Sequence, residues 1–161
     1  MNTKQLELWE KLCDYELDDP EVKFSFTDRL TRENGWEYDY TLRAIEEYKK
    51  FIFLIACSGH PCTPSDEVDQ VWHLHLLYTQ SYWKEMCESI LGIEIHHGPT
   101  KGKSQRSESQ DYYSKTKTSY QLFFKEEPPK DIWPDAKIRF KYTDFRRVNM
   151  HLNKISKKWK F

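Results

Sequence analysis

The sequence contains little glycine and no long apolar stretch. Only five of its 161 residues are glycine, and no glycine-rich loop of the kind that holds phosphate groups is present. The longest strongly apolar run covers residues 51–57, whereas a helix that crosses a bilayer needs about 20 apolar residues. The first residues also lack the basic and then apolar pattern of a secretory signal. We therefore predict a cytoplasmic protein that makes no contact with a membrane.

The sequence also contains few cysteines and has little net charge. Cys13, Cys57, Cys62 and Cys87 include no Cys-x-x-Cys pair, so we predict reduced thiols. A zinc site built on Cys57 and Cys62 is the weaker alternative. The 25 Lys and Arg residues nearly balance the 26 Asp and Glu residues, which leaves a formal charge of −1. This balance argues against nucleic-acid binding driven by total charge.

Aromatic residues, by contrast, are abundant. The chain has six Trp, ten Tyr and nine Phe, although hydrophobic residues make up only 38% of it. Because each buried aromatic side chain removes roughly 150–250 Å² from water, a few of them can build a core. The length fits a single domain. We predict a helical domain over residues 1–135, followed by a basic segment over residues 136–161.

Apolar residues recur at helical spacing through most of the chain. The pattern predicts helices over residues 4–15, 27–34, 40–57, 63–91 and 109–125, with a break near residues 79–81 where Ser81 could cap a second helix over 82–91. Thr27 and Thr63 are the predicted N-caps of two helices, and Pro64 would occupy the first helical position. An extended segment over 93–99 and an exposed loop over 100–109 precede the last helix. We predict an all-α bundle of about five or six helices with irregular loops.

Positive charge is concentrated near the C-terminus. Residues 137–161 carry nine Lys or Arg and one Asp, whereas acids outnumber bases by 13 to 8 in the first fifty residues. A basic segment of this kind can contact nucleic acid or an acidic protein. The interpretation we favour is a solvated segment, or one that docks on the acidic N-terminal half.

Histidine placement is the feature with the most chemical content. Four of the six histidines form two groups, His73 with His75 and His96 with His97. On a helix, Asp69 and His73 share one face, so they can bind one divalent ion, or the carboxylate can orient the imidazole. His75 lies about 200° around the helix from His73. It could join the same ion only if the helix breaks, and would otherwise be a general base or a core hydrogen-bonding residue.

The second histidine group could supply a third ligand. Side chains alternate along an extended segment, so only one of His96 and His97 is expected to point inward. Three protein ligands with an open position are the arrangement of a catalytic zinc site, and a His and Asp set also suits iron(II) or manganese(II). No His-Glu-x-x-His motif and no nucleophile elbow is present. The competing interpretation is that each histidine is a hydrogen-bonded core residue.

The segment Val-Asp-Gln-Val-Trp-His-Leu-His at 68–75 resembles the hallmark of the glycine-rich domain-containing protein-like family of plants, fungi and bacteria. The similarity continues through Ile-His-His-Gly-Pro at 95–99 and Pro-Pro-Lys-Asp-Ile-Trp-Pro at 128–134, and covers roughly residues 40–135. Without a glycine-rich tail, the chain is more similar to short bacterial single-domain members than to plant members. The resemblance implies no reaction, but it implies these hallmark positions: Asp69, Trp72, His73, His75, Tyr82 and His97.

Two hypotheses follow from the residues and the resemblance. In the first, Asp69, His73 and His97 bind a divalent metal, zinc first and iron or manganese next, and His75 is the catalytic residue of a hydrolytic site. In the second, the chain is a non-catalytic interaction module whose histidines, Trp72 and Tyr82 form a buried network. Its basic segment would then bind an acidic partner or nucleic acid. Nucleic-acid processing through that segment is a third hypothesis, which the overall charge disfavours.

Overall fold

The computed structural model describes residues 1–98 and 105–141, and in 105–109 only the backbone. The described residues form an all-α fold without strands, which confirms the predicted helical bundle. None of these helices has the length and apolarity needed to cross a membrane. Of the basic segment predicted at 136–161, residues 142–161 lie outside the described part. The helices are α1 (Thr3–Asp14), α2 (Phe26–Asn34), α3 (Tyr38–Cys57), α4 (Asp66–Leu77), the π-helix π1 (Gln80–Leu91), α5 (Gln105–Phe124) and α6 (Ala136–Arg139).

The central helix of the bundle is α3. Its last seven residues, 51–57, are all apolar, and the four consecutive residues Phe51, Ile52, Phe53 and Leu54 are fully buried. Helices α1, α2, α4 and α5 all pack against it. Burying one such side chain stabilises the fold by about 1.5–3 kcal/mol. The packing of α4 on α3 therefore sets the position of the histidine motif.

A buried carboxylate fixes the turn after α5 to α3. Ile132 and Trp133 of this turn are buried. The indole Nε1 of Trp133 donates to Glu47 Oε2 at 2.8 Å. Tyr120 and Lys50 both donate to Glu47 Oε1 at 3.0 Å. Glu47 is 5% exposed, so three donors replace the water that its carboxylate loses on folding.

Helix α4 begins later than the sequence pattern predicted. Thr63 was the predicted N-cap and Pro64 the first helical residue, but the N-cap is Ser65, whose Oγ accepts from the Val68 N–H at 3.2 Å. The backbone N–H of Thr63 donates instead to Thr116 Oγ1 on α5 at 3.0 Å. Serine and threonine are both good N-caps. Local preference therefore does not distinguish the two, and it is Ser65 that begins the helix.

Two other helix starts also differ from the prediction. Ser25, not Thr27, caps α2, and its side chain takes part in a capping box with Asp28. Helix α5 begins at Gln105, so the second half of the predicted loop at 100–109 is helical. The first half of that loop, residues 100–104, lies outside the described residues.

The predicted break near residues 79–81 separates α4 from π1. Ser81 does not cap a helix there. It lies inside π1, and its Oγ is hydrogen-bonded to His75 Nε2 at 2.8 Å. Gly92 ends π1 with a φ of 67°, in the left-handed region that favours glycine. Residues 93–98 then continue outside any helix or strand.

Replacing Ser65 by alanine is expected to lower the free energy of unfolding by about 1 kcal/mol, because the buried N–H of Val68 loses its acceptor. Thr63→Ala is the matched control. It keeps the backbone N–H through which Thr63 contacts α5, and its expected cost is below about 0.5 kcal/mol. Urea unfolding of both variants measures the difference, and equal losses would contradict the assignment of Ser65 as the N-cap.

Candidate metal centre

Helix α4 presents Asp69 and His73 on one face, one turn apart, as their spacing predicted. Asp69 Oδ2 lies 3.8 Å from His73 Nε2. The side chain of Asp69 is 20% exposed and that of His73 is 49% exposed. The pair therefore has a protected side at Asp69 and an open side, facing solvent, at His73.

Residues 93–98 bring His97 to the same place. Its Nε2 lies 2.8 Å from Asp69 Oδ1, and the ring centroids of His73 and His97 are 4.5 Å apart. One potential ligand atom from each of Asp69, His73 and His97 lies within 4.8 Å of the other two. The three residues thus form a group that could hold a metal ion. No cysteine belongs to a group of this kind in the described part of the chain.

His96 faces away from this group, so only one of the two adjacent histidines points inward, as the alternation of side chains predicted. Its side chain is 73% exposed, and its Nε2 lies 3.3 Å from Glu94 Oε2. Its ring packs on Trp83. The side chain of His97, in contrast, is only 19% exposed. Two adjacent histidines of one segment therefore have different surroundings.

Trp72 and Tyr82 connect the segment of His97 to α4. The indole Nε1 of Trp72 donates to the Tyr82 hydroxyl at 3.0 Å, and that hydroxyl donates to the carbonyl oxygen of Ile95. The rings of Trp72 and His97 meet edge to face with centroids 4.4 Å apart. Burial raises the pKa of Tyr82 above its usual value, so the hydroxyl keeps the proton that it donates.

His75 lies in the core, away from the three grouped residues. It is fully buried, and its Nδ1 is 2.8 Å from the Tyr48 hydroxyl while its Nε2 is 2.8 Å from Ser81 Oγ. Burial lowers its pKa to about 3, so the ring is neutral near pH 7. These are the contacts of a core hydrogen-bonding residue, one of the roles that the sequence left open. Its assignment as the catalytic residue stays a prediction.

The partners of His75 come from distant parts of the chain and were not predicted. Tyr48 comes from α3, 27 positions away. Tyr15 directly follows α1, and its hydroxyl bonds to Ser81, 66 positions away, and to Glu85 Oε2 at 3.2 Å. No local spacing links residues so far apart. The one available signal is that Tyr48 interrupts the apolar face of α3 with a hydroxyl, which needs a partner when buried.

Arg139 of α6 pairs with the first turn of α4. Its Nη1 lies 2.6 Å from Asp66 Oδ1, and its Nε donates to the Pro64 carbonyl oxygen at 3.2 Å. Asp66 precedes Asp69 by one turn. Burial raises the pKa of Asp66, the charge of Arg139 opposes this shift, and the charge of Asp69 adds to it. The positive charge of Arg139, at the start of the basic segment, thus offsets the negative charge of Asp66.

Comparison with known proteins agrees with the resemblance drawn from the sequence. The model of the UCP032817-like family matches residues 22–132, which include α2, α3, α4 and π1. Glycine-rich domain-containing protein 1 of Arabidopsis thaliana is 29% identical over 89 residues, 50% of this chain. The alignment covers only 10% of that relative, so the chain matches about one tenth of its length. No solved structure matches the chain.

Proposed function

The chain belongs to the UCP032817-like family, and we propose that its function depends on a divalent metal ion bound by Asp69, His73 and His97. The observation that carries this proposal is the convergence of three potential ligand atoms within 4.8 Å. Two of the ligands share a face of α4, and the third comes from a segment that Trp72 and Tyr82 connect to that helix. Both kinds of placement depend on the fold rather than on chance surface proximity.

The distances and the donor set fit a small divalent cation. Bonds of about 2.0–2.2 Å from zinc to nitrogen and oxygen place neighbouring ligand atoms roughly 3–3.5 Å apart. His97 Nε2 lies 2.8 Å from Asp69 Oδ1, below that range, and His73 Nε2 lies 3.8 Å from Oδ2, the other carboxylate oxygen, above it. The three potential ligand atoms lie within 4.8 Å of one another, so rotation of the histidine side chains toward one oxygen of Asp69 would be needed to hold an ion. Two imidazoles and a carboxylate favour zinc first, with iron(II) or manganese(II) next.

The exposure of His73 supports a reactive rather than a closed site. Structural zinc sites are surrounded by four protein ligands, whereas catalytic sites have three and leave a position for water or substrate. Here the described residues offer three ligands, and His73 is 49% exposed. A bound ion would act there as a Lewis acid, which favours hydrolytic chemistry as the reaction class. We assign His75 to the core network, because it is fully buried and both ring nitrogens have partners.

Zinc is expected to bind metal-free, untagged protein at one ion per chain and to raise its melting temperature. At a zinc concentration of 100 times Kd, binding adds about 2.7 kcal/mol to the free energy of unfolding. Asp69→Asn and His97→Ala are each expected to weaken zinc binding by about 100-fold or more, since loss of even an outer-shell partner costs about 10–100-fold. Isothermal titration calorimetry measures the affinity, and elemental analysis of the purified protein measures the bound metal.

His96→Ala is the matched control for His97→Ala. The two histidines are neighbours, but the side chain of His96 is 73% exposed and lies outside the group of three. We expect this variant to bind zinc with unchanged affinity. Equal losses in the two variants, or absence of zinc binding by the unmodified protein, would refute the proposed site.

A further inference from the structure

We infer that Tyr82 is a positioning residue for the proposed metal site, and that it acts on His97 through the backbone carbonyl of Ile95. The inference rests on the proposed function and extends it to a residue that would not touch the ion. It is carried by the hydrogen bonds that run from Trp72 through Tyr82 to Ile95.

The position of His97 depends on side-chain contacts. Residues 94–98 belong to no helix or strand, so a backbone ladder does not hold them. Ile95 is nevertheless 5% exposed, and its carbonyl oxygen accepts the hydrogen bond from Tyr82. Because Ile95 precedes His97 by only two residues, this bond limits where the imidazole can lie.

The direction of each hydrogen bond follows from its donor. An indole N–H can only donate, so the Tyr82 oxygen accepts from Trp72, and the single proton of Tyr82 is left for the Ile95 carbonyl. Tyr82 is fully buried and Trp72 is 6% exposed, so water cannot easily replace either bond. Trp72 also precedes His73 on α4. These hydrogen bonds therefore attach the segment of His97 to α4, the helix that carries the other two ligands.

Tyr82→Phe removes the hydroxyl and keeps the buried ring. We expect its Kd for zinc to rise by about tenfold to hundredfold, which is the usual effect of losing a group that orients a metal ligand. Competition with a chromophoric chelator measures the Kd. In the metal-free protein, the ¹⁵N and ¹H resonances of the His97 imidazole are expected to shift, because its contact with Asp69 at 2.8 Å is no longer enforced.

Tyr113→Phe is the matched control. Tyr113 is also fully buried, and its hydroxyl also donates to a backbone carbonyl, that of Pro134, at 2.7 Å. Both variants are expected to lower the melting temperature, but Tyr113→Phe should leave the Kd for zinc unchanged. An equal loss of zinc affinity in the two variants would mean that Tyr82 acts only through general stability, and would overturn the inference.

Measuring Tyr82→Phe in a His97→Ala background separates an effect of Tyr82 on the position of His97 from an effect on the stability of the fold. If Tyr82 acts through His97, adding Tyr82→Phe to His97→Ala should not weaken zinc binding further. A second loss of similar size would overturn the inference. Incorporation of 4-aminophenylalanine at position 82, which keeps an N–H donor for Ile95, should restore most of the affinity.

Trp72→Phe tests the same connection if Tyr82→Phe does not fold, because it removes the N–H that orients the Tyr82 hydroxyl. Because the Trp72 ring also contacts the His97 ring directly, a weaker zinc affinity of Trp72→Phe supports the inference only where 4-aminophenylalanine at position 82 retains the affinity of the unmodified protein. Unchanged affinity of the folded Tyr82→Phe or Trp72→Phe variant overturns it while the proposed function stands. Absence of zinc binding by the unmodified protein refutes both.

Discussion

Glu47→Ala is expected to lower the free energy of unfolding by about 3–5 kcal/mol, the cost of removing one partner from a buried charged network. The carboxylate of Glu47 accepts hydrogen bonds from Trp133, Tyr120 and Lys50. Without it, the indole N–H is left in the core with no acceptor, and the ammonium group of Lys50, 18% exposed, loses its buried counter-ion. Since small domains are stable by about 5–15 kcal/mol, the loss would be a large fraction of the total.

Glu126→Ala is the control for this prediction. Glu126 pairs with the same Lys50 at 2.7 Å, but its side chain is 53% exposed, so its removal is expected to cost less than about 1 kcal/mol. Guanidinium unfolding at neutral pH compares the two variants. Similar losses for Glu47→Ala and Glu126→Ala would show that burial of the carboxylate contributes nothing beyond the exposed ion pair.

Acid is expected to destabilise the fold through His75, starting near pH 6.5. Burial lowers the pKa of His75 from 6.5 to about 3 in the folded protein. Between these values the unfolded chain binds one proton more than the folded chain, so the free energy of unfolding falls as the pH falls. The slope approaches about 1.4 kcal/mol per pH unit, and the full contribution of neutral His75 is present above pH 6.5.

Unfolding in urea between pH 7 and pH 4, with a chelator present, measures this slope. His75→Gln cannot take up the proton, so its free energy of unfolding should depend less steeply on pH than that of the unmodified protein. His96→Gln is the control, because the side chain of His96 is 73% exposed, and its slope should match that of the unmodified protein. Equal slopes for His75→Gln and the unmodified protein would contradict the burial of a neutral ring.

The parts of the fold that local patterns determine could be predicted from the sequence. Helix α3 followed from its apolar spacing, and Gly92 marked the end of π1 because a left-handed residue there favours glycine. The helix starts at Ser25 and Ser65 were missed in favour of nearby threonines. In each case two suitable caps stand two residues apart, and their similar preferences do not decide between them. The π-helical geometry of π1 was missed because no sequence spacing distinguishes it from an α-helix.

The candidate metal centre could be predicted from the sequence only in part, because only some of its residues are related by local spacing. Asp69 and His73 followed from helical spacing, whereas His97 depended on alternation in the extended segment and on the family resemblance. That His97 reaches Asp69, 28 positions away, depends on the buried contact of Tyr82 with Ile95. Spacing along the chain carries no information about such a contact. The place of His75 depends in the same way on Tyr48, which comes from another helix.

The three grouped residues differ in how firmly the fold holds them. Asp69 and His73 lie on a packed helix, whereas His97 lies in residues 93–98, which belong to no helix or strand and are attached to the core through buried Ile95. Loss of that attachment would therefore displace one potential ligand of the three and leave the other two in place on α4.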